Sequence, residues 1–104
     1  MNSVSILFSG RGSNADYIIS LIQKKQLNFK IKNIISNNKK AKGIELLKRY
    51  KLPINILDKE ILNDEDYNQY LLEILEPKEN DILLLCGYML KVPSFIIDAY
   101  KGNV

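Results

Sequence analysis

The 104-residue chain is 46% apolar and 26% charged, which suits one small globular domain with a single core. Its net charge of +3 comes from lysines scattered over what read as helix surfaces and turns. Without interleaved aromatics this favours a solvated basic surface over a nucleic-acid face. Histidine is absent and Cys86 is the single cysteine, which excludes an internal disulfide, a cysteine zinc site and the commonest acid–base and metal-ligating side chain, so no metal is expected.

In chain order, Val4–Phe8 reads as a buried strand. It runs straight into a glycine loop and is too short for a signal segment. No apolar stretch approaches the roughly 18 residues that cross a membrane. A cytoplasmic protein without membrane contact is the expectation. The stretch from Asn14 to about Gln26 has helical spacing, with Ile18, Ile19, Leu21 and Ile22 on one face. Asn28–Ile35 is a second strand contributing Phe29, Ile31, Ile34 and Ile35 to the core, and Ser36-Asn37-Asn38 is a turn. Ala41–Tyr50 is a short helix, and Ile54–Leu57 a brief third strand after Pro53. Asn63 reads as an N-cap ahead of Asp64, Glu65 and Asp66, opening a helix that packs through Tyr67, Leu71, Ile74 and Leu75 until Pro77 stops it. Asp81 introduces a fourth strand, Ile82–Leu85, and Pro93–Tyr100 is a last helix, from which Lys101–Val104 leads away.

Strands alternating with helices at this spacing imply βαβ units in an open, mostly parallel α/β sheet of Rossmann-like type. Four consecutive large apolar residues in Ile82–Leu85 demand cover on both faces and pairing on both edges, as a central strand has. Only one helix follows. Another chain supplying a neighbour, or a longer fold of which this is the N-terminal part, would meet that demand. An uncovered edge there implies poor solubility or self-association.

The turn Ser9-Gly10-Arg11-Gly12-Ser13-Asn14 carries the clearest chemistry. The first N–H groups of a helix lack intrahelical partners, and a glycine approach lets a phosphate reach them. Ala15 stands where the dinucleotide fingerprint has its third glycine, the second strand ends in Ser36-Asn37 rather than an acid, and no Gly-Lys-Ser/Thr makes a P-loop. A plain strand-to-helix turn and a phosphate cradle both remain open from the loop alone, with Ser13 and Asn14 offering side-chain donors to the latter.

The loop also resembles the signature turn of the phosphoribosylglycinamide formyltransferases, folate-dependent enzymes of purine synthesis. The resemblance continues in order through Ser36-Asn37, Gly43-Ile44, Glu65, Tyr67, Asp81 and Gly87-Tyr88-Met89, covering essentially the whole chain. It implies the formyltransferase fold, present as its N-terminal four-strand portion. It implies that Gly12, Ser13 and Asn14 hold the phosphate of phosphoribosylglycinamide. It implies that the backbone of Met89, Leu90, Lys91 and Val92 lines the pterin pocket of 10-formyltetrahydrofolate, the formyl donor.

Two positions depart from the family. Leu90 stands where an Arg is common, and Asp64, which reads as a helix-start acid, stands where a basic residue is expected. The family's Asn-x-His pair and later Asp, which stabilise the tetrahedral oxyanion and move protons, match nothing within residues 1–104. No catalytic residue is assigned, and Cys86 without a histidine reads as a core residue rather than a nucleophile. Residues 1–104 are thus expected to form the N-terminal part of a single formyltransferase domain, catalytically inactive alone. The competing expectation is a truncated or split-gene module that binds at most a phosphorylated ligand. Sister enzymes that formylate tRNA or hydrolyse formylfolate fit the Gly-Ser-Asn loop less well.

Overall fold

The computed structural model describes residues 2–60 and 62–104. Four strands, β1 (Asn2–Phe8), β2 (Phe29–Ser36), β3 (Asn55–Ile56) and β4 (Ile82–Leu85), pair all in parallel in the order β3-β2-β1-β4. Helices α1 (Ser13–Gln23) and α2 (Lys42–Leu47, continued by a 3-10 turn over Lys48–Tyr50) cover one face, while α3 (Asp64–Leu75) and α4 (Ser94–Ala99) cover the other. Alternation along β1 divides the core. Val4, Ile6 and Phe8 join Ala15, Ile19, Ile34, Ile44 and Leu47 on the first face. Leu7 joins Ile35, Tyr67, Leu71, Leu75, Leu83, Ile96 and Tyr100 on the second.

The helix boundaries have local causes. Asn63 caps α3 as its side chain accepts a hydrogen bond from the Asp66 N–H at 2.8 Å. The helix ends at Glu76, in the left-handed region (φ 39°), because the residue before Pro77 is disfavoured in helical conformation. Helix α1 stops at Gln23, three residues short of the sequence expectation, where Lys25 turns left-handed (φ 61°). In β2 the register shifts by one residue, so that Val4 faces Ile31 and Ser5 faces Asn33. The unpaired residue, Lys32, forms a bulge. The bulge allows Ile31 and Ile34, three positions apart, to enter the same core.

Lys32 also ties down the N-terminal edge of the sheet. Its ammonium meets the Asp81 carboxylate at 2.8 Å and the Glu76 carbonyl at the end of α3, and Asp81 accepts the Lys78 N–H at 2.9 Å. Desolvation opposes ionisation of Asp81, but these donors outweigh it and hold the carboxyl below its ordinary value.

The interior strands are β1 and β2, each paired on both edges, and β4, whose apolar run calls for a further neighbour, lies at the edge of the described sheet. Leu83 is buried against α3 and α4, Ile82 and Leu84 are half-buried on the α1 face, and Leu85 is 44% exposed. The tail beyond α4 does not lead away. Lys101 (φ 53°) and Gly102 (φ 84°) turn it back, and the Asn103 carbonyl accepts the Leu83 N–H at 2.9 Å on the outer side of β4.

Two glycines bring α2 onto the loop after β1. Gly12 and Gly43 meet backbone to backbone, and the Gly43 N–H donates to the Gly10 carbonyl at 2.9 Å. A Cβ on Gly43 would lie 2.7 Å from the Phe8 ring and 2.9 Å from the Gly12 backbone. Gly43→Ala is therefore expected to destabilise the fold by about 1–3 kcal/mol through overpacking. Gly10→Ala, whose Cβ would meet nothing within 4 Å, should stay within about 0.5 kcal/mol of the parent. Urea unfolding midpoints of the two variants provide the comparison.

Candidate functional site

In a parallel sheet the four strands deliver their C-terminal ends to one rim, and ligands bind there. Here the rim is made of Ser9–Gly12 after β1, Asn37–Lys40 after β2, Leu57–Glu60 after β3 and Cys86–Val92 after β4. Ser9 ties three of these segments together. Its buried hydroxyl donates to Asn37 Oδ1 at 2.6 Å and accepts the Met89 N–H at 2.8 Å, while the Asn38 side-chain amide donates to the Ser9 carbonyl at 3.4 Å. The segment after β3 is added by the Leu57 and Lys59 N–H groups, which donate to the carbonyls of Ser36 (2.9 Å) and Asn37 (3.2 Å).

The glycine turn ends at Gly12, which is left-handed (φ 72°) and serves as the N-cap of α1. Its carbonyl accepts the Asp16 N–H at 2.7 Å, but a glycine cap supplies no side-chain acceptor. The opening N–H groups of α1 therefore keep their partial positive charge without a side-chain cap. Ser13 and Asn14 are exposed beside them, and Gly12 is buried against Gly43.

Two clefts open along the rim. One, of about 540 Å3, is lined by Lys59, Asp64, Tyr67, Asn68, Leu90, Lys91, Pro93 and Ser94. The other, of about 290 Å3, lies among Ser9, Asn37, Asn38, Asp58, Lys59, Glu60 and Met89. Lys59 borders both and pairs with Asp64 at the start of α3. Asp64 is thus both the expected helix-start acid and a cleft residue. Behind the larger cleft the Tyr67 and Tyr88 hydroxyls meet at 2.8 Å. Burial pushes both phenols up, and the hydrogen bond to Tyr67 adds to the rise at Tyr88, so both are neutral hydrogen-bonding groups.

The two sets of residues singled out in the sequence share this rim. Gly12, Ser13 and Asn14 cluster at the start of α1 and line neither cleft. Of the second set, Leu90 and Lys91 line the larger cleft and Met89, 80% exposed, borders the smaller one. The half-buried side chain of Val92 packs against the second core and lines neither cleft. Cys86 is buried, and burial raises its thiol pKa, in keeping with a core residue. Sequence reasoning missed the Ser9 junction, the Tyr67–Tyr88 pair and Lys59. Ser9 was visible as part of the glycine turn, but nothing local points to its partners. Among the described residues no group of three or more acidic, cysteine or histidine side chains could hold a metal ion. No helix among them is long and apolar enough to cross a membrane.

A parallel α/β sheet, a glycine turn without a side-chain cap and two clefts thus share one rim, the arrangement of the open α/β class. The sequence pattern of the formyl transferases matches residues 2–104, and the chain belongs to this family. Among curated relatives, a phosphoribosylglycinamide formyltransferase of Dictyostelium discoideum is 32% identical over 97% of this chain and 53% of its own length. The solved phosphoribosylglycinamide formyltransferase of Bacillus halodurans superposes with a TM-score of 0.84 at 30% identity, covering 98% of this chain and 53% of that one. That of Brucella melitensis gives 0.88 at 25% identity, covering 98% and 54%. The chain spans about half the length of the curated relatives it matches, and its four-strand sheet corresponds to the N-terminal half of their fold.

The Ser9 junction can be tested directly. Ser9→Ala leaves the Met89 N–H and Asn37 Oδ1 without their partner and is expected to cost about 1–3 kcal/mol. Native-state hydrogen exchange should quicken at the Met89 amide more than at amides in the α1 core.

Proposed function

We propose that the chain serves formyl transfer from 10-formyltetrahydrofolate to the amine of phosphoribosylglycinamide in purine biosynthesis, and that it carries the substrate-phosphate site and part of the folate site. In this reading the phosphate sits on the opening N–H groups of α1, with the Ser13 hydroxyl and Asn14 amide as further donors and Gly12 allowing the approach. The pterin lies against the backbone of Met89, Leu90, Lys91 and Val92. The cleft beside Leu90 suits such a group, because Leu90, Pro93 and Tyr67 offer apolar wall to a flat ring while Asn68 and Ser94 offer polar contacts to its edge. The observation that carries the reading is the shared rim. The phosphate loop and the Leu90 cleft flank one junction, Ser9, in a chain of the formyl transferase family.

The chemistry asks for more than this. Attack of the amine on the formyl carbon creates an oxyanion and requires proton movement, for which histidine is the usual group. None of the 104 residues is a histidine. We therefore propose that these residues by themselves bind without turning over, as one part of a formyltransferase domain. The absence of histidine equally favours the second reading, a module that only binds a phosphorylated ligand. Either way the outer edge of β4 past the Leu83–Asn103 hydrogen bond, where Leu85 is exposed, is the place for a complementing polypeptide or for self-association. A cytoplasmic location goes with both readings.

Calorimetry and a transfer assay on the purified 104-residue chain test the proposal together. Phosphoribosylglycinamide is expected to bind, Ser13→Ala and Asn14→Ala each to weaken it about tenfold, and no formyl group to move from 10-formyltetrahydrofolate. No binding at millimolar ligand would refute the phosphate site, and turnover without a second chain would refute the inactivity.

A further inference from the structure

The first turn of α1 carries an acid as well as the donors for a phosphate. Asp16 lies three residues beyond Ser13, within about 5 Å along the helix axis. A carboxylate there suits the helix dipole, yet it faces the same positive end that a phosphate would use. Left alone, it would repel a dianion approaching the loop. It is not left alone. Arg49 Nη2 donates to Asp16 Oδ1, and the Tyr50 hydroxyl donates to the same oxygen at 2.8 Å while lying 3.2 Å from the Asp16 carbonyl. Arg49 Nη2 also donates to the Tyr50 hydroxyl at 3.0 Å, and the guanidinium lies 5.0 Å from the centre of the Tyr50 ring.

This cluster reaches α1 from another part of the chain. Arg49 and Tyr50 belong to the 3-10 turn that continues α2, and α2 is set against the glycine loop by the Gly12–Gly43 approach. The Arg49 side chain is more than half exposed, so the ion pair adds little to stability. The pair does change the charge presented beside the loop. With Arg49 in place, the Asp16 charge is matched within one residue contact. Without it, a full negative charge stands in the first turn of the helix.

We infer that Arg49 is a positioning residue for the phosphate site, neutralising Asp16 so that the N-terminus of α1 accepts a dianion. The inference rests on the phosphate reading of the glycine loop and adds to it a residue outside the loop. Arg49 acts through Asp16 and does not touch the ligand.

The test is calorimetry of phosphoribosylglycinamide binding to the 104-residue chain and to Arg49→Gln, Arg49→Lys, Asp16→Asn and the Asp16→Asn/Arg49→Gln double variant, with thermal melts confirming that each is folded. Arg49→Gln is expected to bind about three- to tenfold more weakly at about 20 mM salt, with the ratio to the parent closing towards one at about 0.5 M. Arg49→Lys, which keeps the charge, and the double variant, which removes both charges, are expected to bind within about twofold of the parent. A merely structural role would produce neither the salt dependence nor the rescue by Asp16→Asn. Parent-like binding by Arg49→Gln at low salt overturns the inference, and so does a double variant as weak as Arg49→Gln. Failure of the unaltered chain to bind is a different result and overturns the phosphate reading, and this inference with it.

Discussion

The rim of this sheet depends on the buried hydroxyl of Ser9. Parallel strands end independently, and nothing in the ladder hydrogen bonds fixes how the loops beyond β1, β2 and β4 sit relative to one another. The Ser9 side chain joins all three, donating to Asn37 and accepting from Met89, and the Asn38 amide adds a bond to the Ser9 carbonyl. Its position directly after β1, an interior strand paired with β2 and β4, gives the junction a rigid base. The donor and acceptor of the hydroxyl are both used, so the group is buried without an unmet hydrogen bond. The glycine turn begins at the next residue, so it and the Met89 segment inherit their spacing from the same atom.

A second constraint acts on the α1 face. Gly12 and Gly43 approach too closely for any side chain, and this contact sets α2 across the start of α1. The position of Arg49 and Tyr50 beside Asp16 follows from it. On the other face, Lys32, Asp81 and the end of α3 bind the N-terminal edge of the sheet together, at the opposite end from the clefts. The rim is thereby left with polar groups turned to solvent, while the two cores, separated by the sheet, account for the stability of the layers.

Much of this was legible in the sequence because its causes are local. Asn63 as a cap, Pro77 as a stop, the apolar faces of α1 and α3 and the glycine turn each depend on residues within one or two helical turns. The parallel α/β class followed from the alternation of strands and helices. What escaped depends on distant partners. Ser9 bonds to residues 28 and 80 positions away, and Tyr67 meets Tyr88, 21 positions on, behind the larger cleft. The bulge at Lys32 is invisible to a period-two pattern because it is the failure of that pattern. The return of the tail through Lys101 and Gly102 to Leu83 is a matter of topology rather than of composition, whereas the edge position of β4 was anticipated from its unmet demand for a neighbour. The residues expected to bind phosphate and pterin were named by resemblance. Geometry adds the Ser9 junction between them, and that the half-buried Val92 side chain packs against the second core rather than lining a cleft.

The central claim is that two ligands meet this rim on opposite sides of Ser9. Amide chemical-shift mapping by NMR on the labelled chain addresses it most directly. Phosphoribosylglycinamide should move the amides of Gly12, Ser13 and Asn14 first, and a tetrahydrofolate those of Leu90 and Lys91, with Met89 responding to both. Shifts confined instead to the opposite end of the sheet, around Lys30, Lys78 and Asn80, would contradict it.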